Sequence, residues 1–251
     1  MTFKPAFLIP VYNHKDVLEH ILSKLERFGL PCLMVNDGSD TDCRDEMERL
    51  AQLHDWVTVH HLPENQGKGG AVMAGIKVLH SQGYSHAFQV DADGQHDLTQ
   101  IELFLGTAKK RHKALVLGYS VYDESVPKSR LYGRYITHFW VWIETLSFKI
   151  KDTMCGFRVY PIAATYSVIS NAALGKRMEF DVEVVVRLHW AGVNSVNLPV
   201  NVSYPMDGIS HFDVLNDNIR ISKTHTKLFF GMLLRLPALL FRGLFRIRQT
   251  V

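Results

Sequence analysis

Over the first 120 residues, short apolar runs alternate with stretches of helical period. The runs cover residues 7–11, 32–35, 57–62, 87–90 and 115–118. Each has strand length and is bounded by Pro, Gly, Asn or Asp. Between the first two, Val17, Ile21, Leu22 and Leu25 share one helix face, and Gly29 stands where that helix would end. Asp40 is placed to cap a second helix whose apolar face is Met47, Leu50 and Leu53. A third follows Gly67 and carries Ala71, Val72, Ala74, Ile76 and Leu79. Strand–helix alternation at this spacing predicts an α/β fold, a mostly parallel central sheet flanked by helices on both faces. After residue 120 the pattern changes. Residues 130–149 form one predicted helix rich in aromatics (Tyr132, Tyr135, Phe139, Trp140, Trp142), followed by a polar segment at 152–158, a helix at 179–190 and a strand at 196–200. With no repeat and no convincing linker, the expectation is one domain over residues 1–217 and a C-terminal appendage over 218–251.

Composition changes this picture in one respect. A 251-residue chain with 47% hydrophobic and 21% charged residues is globular and not disordered. The net charge of +3 hides an asymmetry: residues 218–251 contain seven Lys/Arg and no Asp or Glu, leaving 21 basic against 25 acidic side chains before them. An acidic body excludes a nucleic-acid-binding domain, and a basic tail points to an anionic partner. Cys32, Cys43 and Cys155 show no metal-ligand spacing, and an odd count suits a reducing compartment. The N-terminal apolar run is too short for a signal peptide. The most apolar region, 228–245, is interrupted by Arg235, Pro237 and Arg242, so no stretch reaches the ~18–20 apolar residues of a membrane span. The expected location is cytoplasmic, peripheral on the inner face of the plasma membrane.

In such a sheet, ligands gather at the carboxyl ends of the strands. Four polar sequences fall there: Tyr12-Asn13, Asn36-Asp37-Gly38-Ser39, Asn65-Gln66-Gly67-Lys68-Gly69-Gly70 and Asp91-Ala92-Asp93-Gly94-Gln95-His96. Asp91 and Asp93, two apart after a buried strand, can hold a hard divalent cation, Mg²⁺ or Mn²⁺, with Gln95 as a neutral oxygen donor. Taken alone, the same residues also make an ordinary turn with a cap. Asp37 can accept from a base or ribose, or simply close a turn. The glycines around Lys68 match neither G-x-G-x-x-G nor the P-loop pattern, but they allow close backbone approach, and Lys68 can reach a phosphate.

These four sequences, in this order from Pro10-Val11-Tyr12-Asn13 onward, resemble family 2 glycosyltransferases. The subgroup they resemble is the polyprenyl-phosphate (dolichol-phosphate mannose synthase-like) transferases. Asp152-Thr153-Met154-Cys155-Gly156-Phe157-Arg158 is similar to the D-x-x-x-G-F-R segment of that subgroup, and Gly208-Ile209-Ser210-His211 to its G-x-S-[KH] ending. The resemblance implies a GT-A-type fold, a nucleotide-diphosphate sugar donor (UDP- or GDP-linked), a divalent metal and inverting transfer to a lipid or lipid-phosphate acceptor. It implies that Pro10, Tyr12, Asn13, Asp37, Lys68 and Asp91 bind the nucleotide sugar, that Asp91, Asp93 and Gln95 hold the metal, and that His211 meets the acceptor. Asp152 and Arg158, with Asp93, carry the catalytic assignment. Asp152 is the candidate proton acceptor for a hydroxyl substrate, with Asp181 and Glu183 behind it; an Asp152–Arg158 ion pair shaping the loop is the other reading. The chain departs from the subgroup at Gly118-Tyr119-Ser120, where an arginine is expected. Lys128, Arg130 and Arg134 offer positive charge instead, the last two sharing a helix face.

The tail places Arg235, Arg242 and Arg246 on one helical stripe beside a wide apolar surface, with Pro237 expected to kink it or split it in two. Residues 226–248 are therefore expected to lie on an anionic membrane, or to pack on the domain or a second copy. If the acceptor were a soluble or protein hydroxyl, truncation near residue 222 would spare activity. A nucleotidyltransferase would need a basic glycine loop directly after the first strand, which Val11-Tyr12-Asn13-His14 is not. A non-catalytic sugar-nucleotide-binding scaffold has no need of an intact Asp91/Asp93/Gln95 set.

Overall fold

A computed structural model describes residues 2–122, 128–202 and 213–247, without the side chains of 122, 128–132, 214 and 243–247. A seven-stranded sheet runs in the order β3-β2-β1-β4-β6-β5-β7. The strands are β1 (Pro5–Val11), β2 (Cys32–Asn36), β3 (Val57–His61), β4 (His86–Gln89), β5 (Leu115–Tyr122), β6 (Arg158–Pro161) and β7 (Ser195–Val202). All pairings are parallel except those of β6, which runs antiparallel to both β4 and β5. The helices are α1 (Lys15–Leu25), α2 (Thr41–Leu53), α3 (Lys68–Ser81), α4 (Ile101–Lys110), α5 (Lys128–Thr145), α6 (Ile162–Asn171), α7 (Phe180–Trp190) and α8 (Val214–Ile247).

β1, β2 and β4 are buried on both faces, which is why they are continuous apolar runs. Along β1, Ala6 and Leu8 pack into one core with α3, α6, α7 and α8. Phe7, Ile9 and Val11 point the other way, into a core with α1, α2 and α4. Gly29 adopts φ 59° where the α1 segment closes, and Asp40 accepts the Cys43 N–H as the cap of α2. Met47 and Leu50 are buried, but Leu53, on the last turn of α2, is 59% exposed.

Four elements differ from the expectation. The polar segment at 152–158 leads straight into β6, whose direction is set by filling the gap between β4 and β5. α4 and α6 cover the two faces without having been predicted. α5 stops at Thr145, four residues early, because Leu146 takes φ 48° and turns the chain.

α8 is one helix, not two, with Pro237 inside it, and a boundary at residue 217 falls within its first turn. Ile221, Thr224, His225, Leu228, Met232 and Leu239 are buried. α8 packs against α5 and α7. Two of the stripe arginines face the domain: Arg242 Nη1 donates to Trp190 O at 2.6 Å, at the C-terminus of α7, and the Arg235 guanidinium lies 4.7 Å from the Trp190 ring. The Arg246 side chain is outside the described residues. No helix among the described residues is long and apolar enough to cross a membrane.

Candidate active site

The loops after β1, β2, β3 and β4 meet in one cavity of about 900 Å³. Pro10, Tyr12, Asp37, Lys68, Asp91, Asp93, Gln95 and Arg134 all line it, as expected for a site at the strand ends. His211 lies outside the described residues, and Arg130 is placed only by its backbone in α5.

Asp37 is the anchor of the loop after β3. Its carboxylate accepts the Gln66 N–H at 2.7 Å and the Gly67 N–H at 2.8 Å. Burial pushes its pKa up, against the lowering effect of those two donors and of Arg177. Asn13 does not line the cavity. It ties the first two loops together, accepting the Asp40 N–H (2.9 Å) and donating its own N–H to Ser39 Oγ (3.1 Å).

Asp91 sits in a polar circuit. Lys68 Nζ lies 2.8 Å from Asp91 Oδ2 and 3.0 Å from Asp181 Oδ2. Gln89 Nε2 donates to Asp91 Oδ1 at 2.8 Å, and Tyr160 O–H donates to Gln89 Oε1 at 3.0 Å. Arg158 Nη2 closes the chain on Asp181 Oδ1 at 3.2 Å. Burial opposes the Lys68 charge, but Asp181 and Asp91 outweigh it and keep the ammonium protonated. Gly156 is required here, since a Cβ would collide with the Asp91 carboxylate.

Two of the catalytic candidates, Asp152 and Arg158, sit behind the cavity wall rather than on it. Asp152 does not line the cavity. Its carboxylate accepts from Ser120 N (3.2 Å), Met154 N (2.8 Å) and Cys155 N (3.2 Å), and lies 3.2 Å from Arg134 Nη1. Burial would raise its pKa, but Arg134, His138 and the Met154 N–H hold it well below the usual carboxylate range. These contacts tie Asp152 to its own loop and to Arg134. Arg158 is fully buried. It donates to the carbonyls of Thr153 (3.1 Å), Cys155 (2.6 Å) and Asp181 (3.3 Å), so it orders the segment from within. The Asp152–Arg158 pair is not formed: Asp152 takes Arg134 and Arg158 takes Asp181. Of the reserve carboxylates, Asp181 lines the cavity. Glu183 is buried away from it against Arg187 and Lys227, at 2.8 and 2.9 Å.

The cavity also has walls that the motifs did not announce. Arg177 and Met178 enter from the loop before α7, and Asp217, Asn218 and Ile221 from the first turns of α8. The signals available were weak: a basic pair, Lys176-Arg177, beside no recognised motif, and a helix assigned to a separate tail.

Asp91, Asp93 and Gln95 supply only oxygen donors, which suits Mg²⁺ or Mn²⁺ with the remaining ligands drawn from phosphate and water. Asp93 Oδ1 accepts the Gln95 backbone N–H at 3.0 Å, which closes the turn between the two residues. Among the described residues, no group of three or more His, Cys, Asp or Glu is arranged to hold a metal. A two-carboxylate set completed by an amide and a ligand phosphate does not require one.

The model of the family described as Glycosyl transferase family 2 matches residues 6–177. A dolichyl-phosphate beta-glucosyltransferase of Trichomonas vaginalis is 29% identical over 218 residues, covering 78% of this chain and 62% of that protein. Its counterpart from Dictyostelium discoideum is 26% identical over 254 residues, covering 91% and 75%. An undecaprenyl-phosphate mannosyltransferase of Micrococcus luteus is 26% identical over 203 residues, covering 77% and 81%. The chain spans 62% and 60% of the length of two Trichomonas relatives. Among solved structures, glucosyl-3-phosphoglycerate synthase from Mycobacterium tuberculosis, in complex with Mn²⁺, UDP and glucosyl-3-phosphoglycerate, superposes with TM-score 0.62 at 11% identity, covering 91% of this chain and 79% of that one. S. aureus TarS in complex with UDP gives TM-score 0.56 at 14% identity, covering 80% and 61%. These likenesses bear out the GT-A-type fold, and the sequence relatives bear out the resemblance to polyprenyl-phosphate transferases. The order of the strand-end loops, their convergence on one cavity and a family match over more than half the chain lead to one conclusion: this chain belongs to glycosyl transferase family 2.

Proposed function

We propose that the protein transfers a sugar from a nucleoside-diphosphate donor to a lipid-phosphate acceptor, with inversion. The observation that carries this reading is the content of this cavity. An oxygen-donor set and Lys68 stand on the strand-end side, and a cation, Arg134, stands on α5. A diphosphate suits the first side and an acceptor phosphate the second. The acceptor oxygen attacks the anomeric carbon in line, and the bond to the nucleoside diphosphate breaks. A divalent ion at Asp91, Asp93 and Gln95 would stabilise the charge developing on the leaving diphosphate.

The carboxylates favour a phosphate acceptor. A hydroxyl acceptor needs a base. Asp152 is paired with Arg134, Asp181 with Lys68 and Arg158, and Asp217 with Arg220, while Asp37 and Asp93 accept backbone N–H groups. A phosphate acceptor is anionic near neutral pH and needs no deprotonation. The names of the relatives point the same way. Neighbours that bind UDP make a uridine donor the first to test, with guanosine second.

A lipid acceptor calls for a membrane surface. Tyr135, Ile136 and Phe139 of α5 and Phe230 of α8 are exposed, and ring contacts through Trp140 and Phe229 link Phe139 to Phe230. In this reading the protein lies peripherally on the cytoplasmic face through this apolar surface, with residues 226–248 contributing.

The test is a thermal-shift screen with Mn²⁺ or Mg²⁺ against UDP-, GDP- and dTDP-sugars. Ligand at ~100 times its Kd stabilises by about 2.7 kcal/mol. We expect a metal-dependent shift with one nucleotide, lost in Asp93→Asn. Well-folded protein that shifts with none of them overturns the proposal.

A further inference from the structure

The Lys68 ammonium is held by two carboxylates of different kinds. Asp91 belongs to the proposed metal set, whereas Asp181, on the first turn of α7, does not. With Arg158 on its far side, Asp181 completes a cluster of two cations and two anions that is balanced before any ligand arrives. Both Asp91 oxygens are already used, Oδ2 by Lys68 and Oδ1 by Gln89. Gly156 closes on the same carboxylate. A dication approaching Asp91 therefore meets an ammonium in hydrogen-bond contact with the oxygen it needs. The site is largely buried, so this repulsion is only partly screened by salt. Lys68 already has a second carboxylate oxygen, Asp181 Oδ2, 3.0 Å away to hold it when it leaves Asp91. It gains a further partner only when an anion enters with the metal.

We propose that Lys68 is a resident cation in the metal seat, making divalent-ion binding conditional on nucleotide. In the free protein it occupies Asp91. When metal and diphosphate arrive together, it moves onto Asp181 and the diphosphate and yields Asp91 to the ion. Asp181 is then a positioning residue, the second seat of Lys68. The inference rests on the donor reading above in one respect: the incoming anion is a nucleoside diphosphate. Because binding is reciprocal, the factor by which UDP tightens the metal equals the factor by which the metal tightens UDP.

The experiment is Mn²⁺ titration of the full chain by electron paramagnetic resonance, with and without UDP, for wild type, Lys68→Met and Asp181→Asn. In wild type we expect UDP to tighten Mn²⁺ by roughly tenfold or more, within the usual range of site–site coupling. Lys68→Met should tighten Mn²⁺ alone and leave UDP a smaller increment than in wild type, the part that its phosphates supply as ligands. Asp181→Asn should move the other way and weaken Mn²⁺ alone, because Lys68 keeps only Asp91. The proposal is overturned if Lys68→Met binds Mn²⁺ alone no more tightly than wild type, or if Asp181→Asn binds it more tightly. If Lys68→Met does not fold, the direction of the Asp181→Asn shift decides alone. Wild type that binds Mn²⁺ with UDP while the variants fail these directions loses only the resident-cation idea. Wild type that binds no Mn²⁺ even with UDP loses the metal–nucleotide reading as well.

Discussion

Asp152 shows why a residue's role depends on its partners. In a D-x-x-x-G-F-R segment it looks like a candidate base, yet three backbone N–H groups and Arg134 surround it. Its folded-state pKa is depressed. A depressed carboxylate contributes stability that is present above its unfolded pKa and is lost as pH falls through the lower folded value. Asp152→Asn should therefore cost roughly 2–3 kcal/mol near pH 7. That difference should shrink as pH drops below the ordinary carboxylate range. Chemical denaturation at pH 7 and pH 3 checks it; an equal cost at both would mean that the charge is not what matters. Arg158 follows the same logic. Its guanidinium is spent on carbonyls, and no sequence rule assigns Arg158 to Asp181 and Arg134 to Asp152, because those choices are made across separate elements.

At the scale of elements, α8 is the main revision. A basic, apolar tail fits an amphipathic appendage by composition, and its arginine spacing is that of one helical stripe. Arg235 and Arg242 nevertheless turn onto Trp190, where one stacks on the ring and the other satisfies a carbonyl at the end of α7. The opposite faces of the helix then do different jobs. Leu228 is fully buried against the domain, whereas Leu234 is 84% exposed. Leu228→Ala should destabilise the protein by about 2–5 kcal/mol in urea unfolding. Leu234→Ser should change stability by no more than ~0.5 kcal/mol. In the proposed reading, the same Leu234→Ser protein partitions less onto anionic vesicles in a flotation assay. Equal partitioning would remove α8 from the membrane surface.

For the molecule as a whole, the cavity and the core share α8. Its first turns line the site through Asp217, Asn218 and Ile221, and its middle fills the core through Leu228, Met232 and Leu239. Truncation near residue 222, which the sequence reading uses to separate a soluble acceptor from a lipid one, should instead give insoluble or cooperatively unfolded protein, as read by expression, circular dichroism and light scattering. A folded monomer would show that the sheet with α1–α7 is self-sufficient. The sheet itself was legible in the sequence. Parallel strands buried on both faces have to be short apolar runs, and each is followed by the loop that carries its chemistry. Pro10, Tyr12, Asp37, Lys68, Asp91, Asp93 and Gln95 could be placed together because strand-end loops of a parallel sheet open on one edge.

What the sequence determined by itself was whatever depends on neighbours in the chain: strand runs, helix caps at Gly29 and Asp40, and the order of the loops. The tertiary structure decided the rest: the direction of β6, the docking of α8, and the pairing of Lys68 with Asp181 and of Arg134 with Asp152. The physical reason is range. Periodicity and capping are set within a few residues, but which buried cation meets which carboxylate depends on how whole helices pack, and Lys68 and Asp181 approach to 3.0 Å only once α3 and α7 lie on the same face of the sheet.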